Sequence, residues 1–390
     1  MFEMLSFPEF KWNWSENAEL AEKALQMQPT KGIPHTTIYI MEHNLIEELA
    51  GVEQGEYKKC PEKVYLKMQK EVGTCFIDQY IPRNPLTMGD HGYDGSQQTA
   101  SAGIEKLVLD SIDIDSPEAV VEHMENFLFP SLRKQIEETS VNDSDAVKKL
   151  IEQENNVQQE FGSDILKVPY ANGFQSKPIL LYTTYGYANY LMAYILFPEI
   201  IEKGFSLMAD LAEKLNSISA RAIIDGNLPR VIRFDHDMAS SQGMLVNIKS
   251  LDKIWFPHFE RSIKPLLNAG IRLIWHCDGN LMEMVPRLLE VGFGGFQGFQ
   301  YEDGMDYEKI CKMTDRNGSP LMIWGGVSVT QTLPNGSPED VKKEIKWLVK
   351  YAPEVGFALA GSSSIAPGTN HENIRTMLEG LKYYREHGRG

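Results

Sequence analysis

Two short runs concentrate residue types that carry metal or proton chemistry. IRLIWHCDGN, Ile271 to Asn280, is largely apolar through Trp275 and then presents His276, Cys277 and Asp278 before a glycine. RVIRFDHD, Arg230 to Asp237, ends in Asp235, His236 and Asp237. Imidazole, thiolate and carboxylate are the protein ligands of zinc, and imidazole and carboxylate also carry protons in catalysis. If each run is a strand, alternation places His276 and Asp278 on one side, with Cys277 on the other beside Leu273 and Trp275. Cys277 joins the other two only where the strand has already turned. A plainer reading has His276 orienting Asp278 through a hydrogen bond while Cys277 packs. For the Asp235 to Asp237 run the plain reading is a loop cap or an internal ion pair. Tyr182, Tyr185, Tyr187, Tyr190 and Tyr194 recur as either helix packing or an aromatic lining for a flat substrate.

These residues need a scaffold that collects strand ends. Eight β-rich runs are candidates, at 35–41, 75–81, 178–184, 230–237, 272–277, 295–300, 321–327 and 357–363. Helical stretches at 59–72, 198–224, 253–268, 280–291, 306–315, 338–350 and 371–386 alternate with them. Strand then helix, repeated, predicts one α/β domain over 1–390, a (β/α)8 TIM barrel. It carries an N-terminal helical extension, 1–34, and an insertion between the second and third strands, 82–176, near the barrel mouth. The insertion holds the loop GDHGYDGSQQTASAG and a charged helical stretch around 143–160. Ser116 and Ser337, each before a proline, predict helix N-caps, and Thr369 with Glu372 predicts a capping box. Barrel chemistry sits where strands exit. The exits are Glu42 and His43, then Asp78, then the two runs above, then Gln300 with Glu302, and finally Ser362 to Ser364. GFGGFQG, 292–298, misses dinucleotide spacing and precedes a strand, and the late serines lack a nucleophile elbow.

Composition narrows the function. With 42% hydrophobic residues the chain can build a large core, yet no apolar run approaches the roughly 18 residues of a membrane span. A net charge of −16 argues against nucleic acid and anionic membrane as partners. Four scattered cysteines without a CxxC pair predict no disulfide framework, and the N-terminus lacks a secretory pattern, so a cytoplasmic location is expected.

FDHDMASSQG (234–243), KPLLNAG (264–270), WHCDGN (275–280), GGVSVTQTLPNGSPEDVKKEI (325–345) and APGTNHENI (366–374) together resemble the uroporphyrinogen decarboxylase superfamily. That superfamily includes cobamide-dependent methyltransferases. For the decarboxylases the resemblance implies two arginines for substrate carboxylates, an aspartate for pyrrole nitrogens, a tyrosine and a late histidine. Asp78 matches the aspartate and Tyr190 the tyrosine. Glu42 and Ile46 stand where the arginines would be, and Ser363 where the histidine would be, so a polycarboxylate would meet Glu42 as a like charge. For the methyltransferases the resemblance implies zinc on a His-x-Cys pair and a later cysteine. His276 fits the first ligand, Asp278 takes the second place with Cys277 one residue early, and Ser363 replaces the third.

A nitrogen and oxygen ligand set makes zinc a stronger Lewis acid than thiolates do, suited to polarising an ether oxygen. The expectation is therefore a corrinoid-dependent methyltransferase of O-demethylase type. It would take a methyl group from a small, aromatic or related methyl ether to a corrinoid on a partner protein, since the chain has no Asp-x-His-x-x-Gly motif of its own. The expected metal ligands are His276, Asp278 and Glu302, with Cys277 as a further candidate. Asp237, Asp78 and His236 are expected to be catalytic, and Glu42, Tyr190, Tyr185 and Ser363 to bind substrate. A homodimer is implied by the resemblance. A decarboxylase and a barrel that binds a small molecule without turnover are the alternatives.

Overall fold

The computed structural model describes residues 13–36, 39–87, 107–170 and 173–389. The glycine-rich loop expected at 89–103 lies outside these residues. Seven parallel strands carry the fold: β1 (Phe76–Ile77), β2 (Leu166–Lys167), β3 (Val231–Asp235), β4 (Arg272–His276), β5 (Gly295–Gln297), β6 (Met322–Val327) and β7 (Phe357–Gly361). β3 to β7 pair in chain order, and β1 pairs with β2. The described residues at 35–36 and 39–40 lie beside β7 and β1. His35 and Ile40 bridge in parallel to Leu359 and Ile365, while the Cys75 N–H donates to the His35 carbonyl at 2.9 Å. β2 and β3 are joined by side chains: Tyr170, just beyond β2, donates its hydroxyl to Asp235 Oδ2 at 3.0 Å, and its ring lies 4.4 Å from the Arg233 guanidinium.

Alternation along the strands explains two separate cores. Val231, Ile274, Met322, Trp324 and Ala358 point into the barrel, where they pack with Phe76, Leu166 and Val168. Helix α1 (Glu16–Leu25), from the expected extension, closes this layer from below with Ala18, Ala21 and Leu25. The intervening residues Phe234, Leu273 and Trp275 face the helices instead, where Trp275 meets Phe259 edge-on at 5.6 Å.

Two sequence expectations are corrected here. The run 178–184 is not a strand: it leads into a helical turn, α2 (Tyr182–Tyr185), that stops at Gly186, followed by α3 (Tyr187–Leu196). The third strand is β2, inside the expected insertion, which therefore ends before Leu166. The apolar signal there was broken by Lys167, a charge that stays inside because Glu154 Oε2 lies 2.8 Å from its Nζ. The last helix, α4 (His371–His387), is capped by the Asn370 side chain, which accepts from the Glu372 and Asn373 N–H groups, and not by Thr369. The Ser116 and Ser337 caps form as expected.

Candidate active site

The third residue along β3 from Val231 on the inward face is Asp235, and its Cα partner on β4 is His276. Register thus brings the two runs singled out in the sequence side by side at the barrel mouth. Asp235, Asp237 and His276 each offer one ligand atom, all within 4.8 Å of one another. His276 is buried, and its Nδ1 donates to the Gln297 carbonyl at 3.1 Å, which leaves Nε2 as the ring's lone-pair nitrogen toward the mouth. That is the arrangement found in metal-ligating histidines, where a backbone carbonyl selects the tautomer. Gly298 makes room for it: at φ +69°, any Cβ there would stand 2.9 Å from His276 Nδ1 and 2.3 Å from the Ser362 carbonyl.

The two carboxylates sit in contrasting fields. Burial works against the charge on Asp235. His276, Arg233, the Tyr170 hydroxyl and Lys177 together outweigh it and hold its carboxyl below the usual range. Burial raises Asp237 above that range, and the neighbouring Asp278 carboxylate adds to the effect. Asp237 Oδ1 also accepts the Asp278 N–H at 2.9 Å, so the loop after β4 is tied to the loop after β3.

The other expected site residues are placed as follows. Asp278 lies beside the cluster, with Oδ1 3.9 Å from His276 Nε2, and its Oδ2 accepts from the Ser363 hydroxyl at 3.5 Å. Cys277 is turned away from the cluster. Its thiol accepts the Met238 N–H at 3.3 Å and donates to the Asp278 carbonyl at 3.0 Å, and burial pushes its pKa far up. Glu302 is also drawn off: its Oε1 accepts from the Ser328 hydroxyl at 2.6 Å and from the Thr330 hydroxyl. Asp78 is occupied by Arg233, Nε to Oδ2 2.6 Å, with both side chains buried. His236 accepts the Leu180 N–H at 2.9 Å through Nε2 and stacks on Tyr182. Burial and the Lys177 charge bring its pKa down to about 3, so the ring is uncharged near neutrality.

Among the expected substrate residues, Tyr185 and Tyr190 are core residues, stacked on each other, with the Tyr185 hydroxyl 2.9 Å from His123 Nδ1. Glu42 accepts the Gly368 N–H and lines a cleft of about 490 Å³ with His43, Asn44 and Lys58, none of which belongs to the cluster. The aromatic face that does lie near the cluster is Tyr182 stacked on Tyr187, centroids 4.5 Å apart, with the Tyr182 hydroxyl 2.6 Å from the Asp237 carbonyl. Asp235 was visible as a strand-end acid but not assigned to the metal. Arg233, Tyr170 and Gln297 were missed, although a lone arginine two residues before Asp235 in an otherwise apolar strand is a readable signal.

Residues 201–384 match the family described as uroporphyrinogen decarboxylase (URO-D). That stretch, a little under half of the chain, is thus similar to the URO-D family. Among solved structures, a methyltransferase from Methanosarcina mazei is similar over 94% of this chain and 98% of its own, with a TM-score of 0.56 and 14% identity. A B12-independent methionine synthase from a Shewanella species is matched over 61% of this chain and 65% of its own, with 15% identity and a TM-score of 0.32. No curated protein matches the chain. The chain thus shares the fold of the Methanosarcina mazei protein, and no helix among the described residues is long and apolar enough to cross a membrane.

Proposed function

We propose that this chain is a methyltransferase of a corrinoid-dependent system. It takes a methyl group from a small methyl ether, with an aromatic one favoured, and passes it to a corrinoid carried by a separate protein. The observation that carries the reading is the nitrogen and oxygen cluster of Asp235, Asp237 and His276 at the barrel mouth, with the His276 tautomer held by Gln297. The donor set fits zinc: one imidazole nitrogen and two carboxylates, with the imidazole oriented by a second hydrogen bond. When bound, zinc would supply Lewis acidity toward the ether oxygen.

The chain's own residues supply the rest. Tyr182 is buried, stacked on both Tyr187 and His236, so the flat face for an aryl ring falls to the exposed Tyr187. Asp278, part-exposed between His276 and Ser363, borders the place where the leaving oxygen would lie. The C–O bonding electrons would stay on that oxygen, which would take its proton from solvent, and a cobalt(I) corrinoid on the partner would supply the electron pair for the new bond to the methyl. His236, neutral and fixed by Leu180, keeps Tyr182 in place. A decarboxylase reading is disfavoured because Arg233, the guanidinium next to Asp78, is already committed to two carboxylates.

Metal analysis of the purified chain tests the proposal. It expects close to one zinc per chain, lost in His276→Ala and Asp235→Ala. Full methyl-transfer activity from protein stripped of metal would overturn it.

A further inference from the structure

Arg233 sits one layer below the cluster and hydrogen-bonds four residues at once. Its Nε meets Asp78 Oδ2 at 2.6 Å, Nη1 meets Asp235 Oδ2 at 3.0 Å and Gln297 Oε1 at 3.5 Å, and Nη2 meets Gln79 Oε1 at 3.0 Å. The Tyr170 ring covers its face at 4.4 Å, and the Tyr170 hydroxyl donates to the same Asp235 Oδ2 at 3.0 Å. Both donors to the Asp235 carboxylate thus converge on one oxygen. A carboxylate with Oδ2 fastened from below by a rigid fork and a phenol cannot rotate freely, so Oδ1 is the oxygen left for the cluster. Gln297 belongs to the same device: its carbonyl selects the His276 tautomer, while its side-chain oxygen faces the guanidinium.

We infer that Arg233, with Tyr170, is a positioning pair that restricts Asp235 to one-oxygen ligation and thereby keeps a coordination position open for the substrate oxygen. This rests on the cluster binding metal. With the pair intact, one carboxylate oxygen enters the site and the coordination number stays low, as catalytic zinc sites require. With the pair removed, the carboxylate can turn and offer both oxygens or neither. Arg233 touches no reacting atom and acts only through Asp235.

The test uses the full-length chain, with cobalt(II) as a visible probe and zinc affinity measured against a chromophoric chelator. The variants are Arg233→Lys, which keeps a charge but loses the fork, and Tyr170→Phe, which keeps the ring over Arg233 and loses only the hydroxyl. The expected outcome is zinc binding about 10- to 100-fold weaker in Arg233→Lys, the range typical of lost outer hydrogen bonds to ligands. A smaller loss is expected in Tyr170→Phe. The cobalt(II) visible bands of both should change in intensity and position as the coordination number departs from that of the wild type. A merely structural role would lower the unfolding midpoint but leave affinity and bands of the folded protein unchanged, and that result overturns the inference. If Arg233→Lys does not fold, Tyr170→Phe alone decides. A wild-type chain that takes up neither zinc nor cobalt overturns the metal reading itself, whereas normal wild-type binding with unaffected variants overturns only the role of Arg233 and Tyr170.

Discussion

Replacing Asp78 with alanine separates a structural from a catalytic role for the residue that the family resemblance marks as a proton or nitrogen partner. Asp78 and Arg233 side chains are 6% and 4% exposed and meet at 2.6 Å, so the charges are held out of water and depend on each other. Removing one member of a buried pair typically costs about 3–5 kcal/mol, because the remaining charge stays desolvated. Arg233 keeps Asp235 and Gln79 as partners, which places the expected loss near the lower end, about 3 kcal/mol. Urea unfolding should show a lower midpoint with an unchanged slope, the signature of lost stability without a change in exposed surface. At low denaturant the folded variant should still take up about one zinc per chain, since Asp78 is not in the cluster. Wild-type urea resistance combined with collapsed turnover would refute the reasoning, for then Asp78 would be serving the reaction and not fastening β1 to β3.

Two further outcomes follow from buried groups. His35 is fully buried beside Arg385, and burial together with that charge brings its pKa from 6.5 down to about 3. Its folded form is neutral, so its contribution to stability is complete above pH 6.5 and is lost as pH falls toward 3. The loss runs at about 1.4 kcal/mol per pH unit, about 5 kcal/mol across the window. Urea unfolding of wild type and His35→Asn at pH 7, 6 and 5 should differ in slope by one proton, and parallel pH profiles would contradict this. Gly298→Ala should cost about 2–5 kcal/mol through left-handed strain and overpacking. Because the added methyl abuts His276 Nδ1, it should also weaken zinc binding. Thermal unfolding and chelator competition check both effects, and normal zinc affinity in the folded variant would count against the packing argument.

Sequence alone was enough for the barrel class and for the two runs that carry the chemistry. Periodicity is a local property: apolar alternation followed by His276 or Asp235 marks a strand exit wherever the strand ends up. Helix starts at Ser116 and Ser337 were readable for the same reason, since a cap is made by residues three apart. Where a local signal was broken, the reading failed. Lys167 interrupted the apolar signal of β2 because its partner, Glu154, sits on the preceding helix and comes within reach only once the chain turns back, and PILLYTT read as a strand although it turns helical before Gly186.

Which side chains share the site was decided by tertiary structure. The Asp235 and His276 pairing depends on the β3 to β4 register, set by hydrogen bonds between segments about 40 residues apart. Glu302 and Cys277 had suitable chemistry and nearby positions, but Ser328, Thr330 and the Met238 backbone claimed their polar atoms. Asp78 and Arg233 found each other across 155 residues. A sequence states what each residue can donate or accept; only packing in three dimensions settles which partner is within reach, because hydrogen bonds and ion pairs act over a few ångströms and not along the chain.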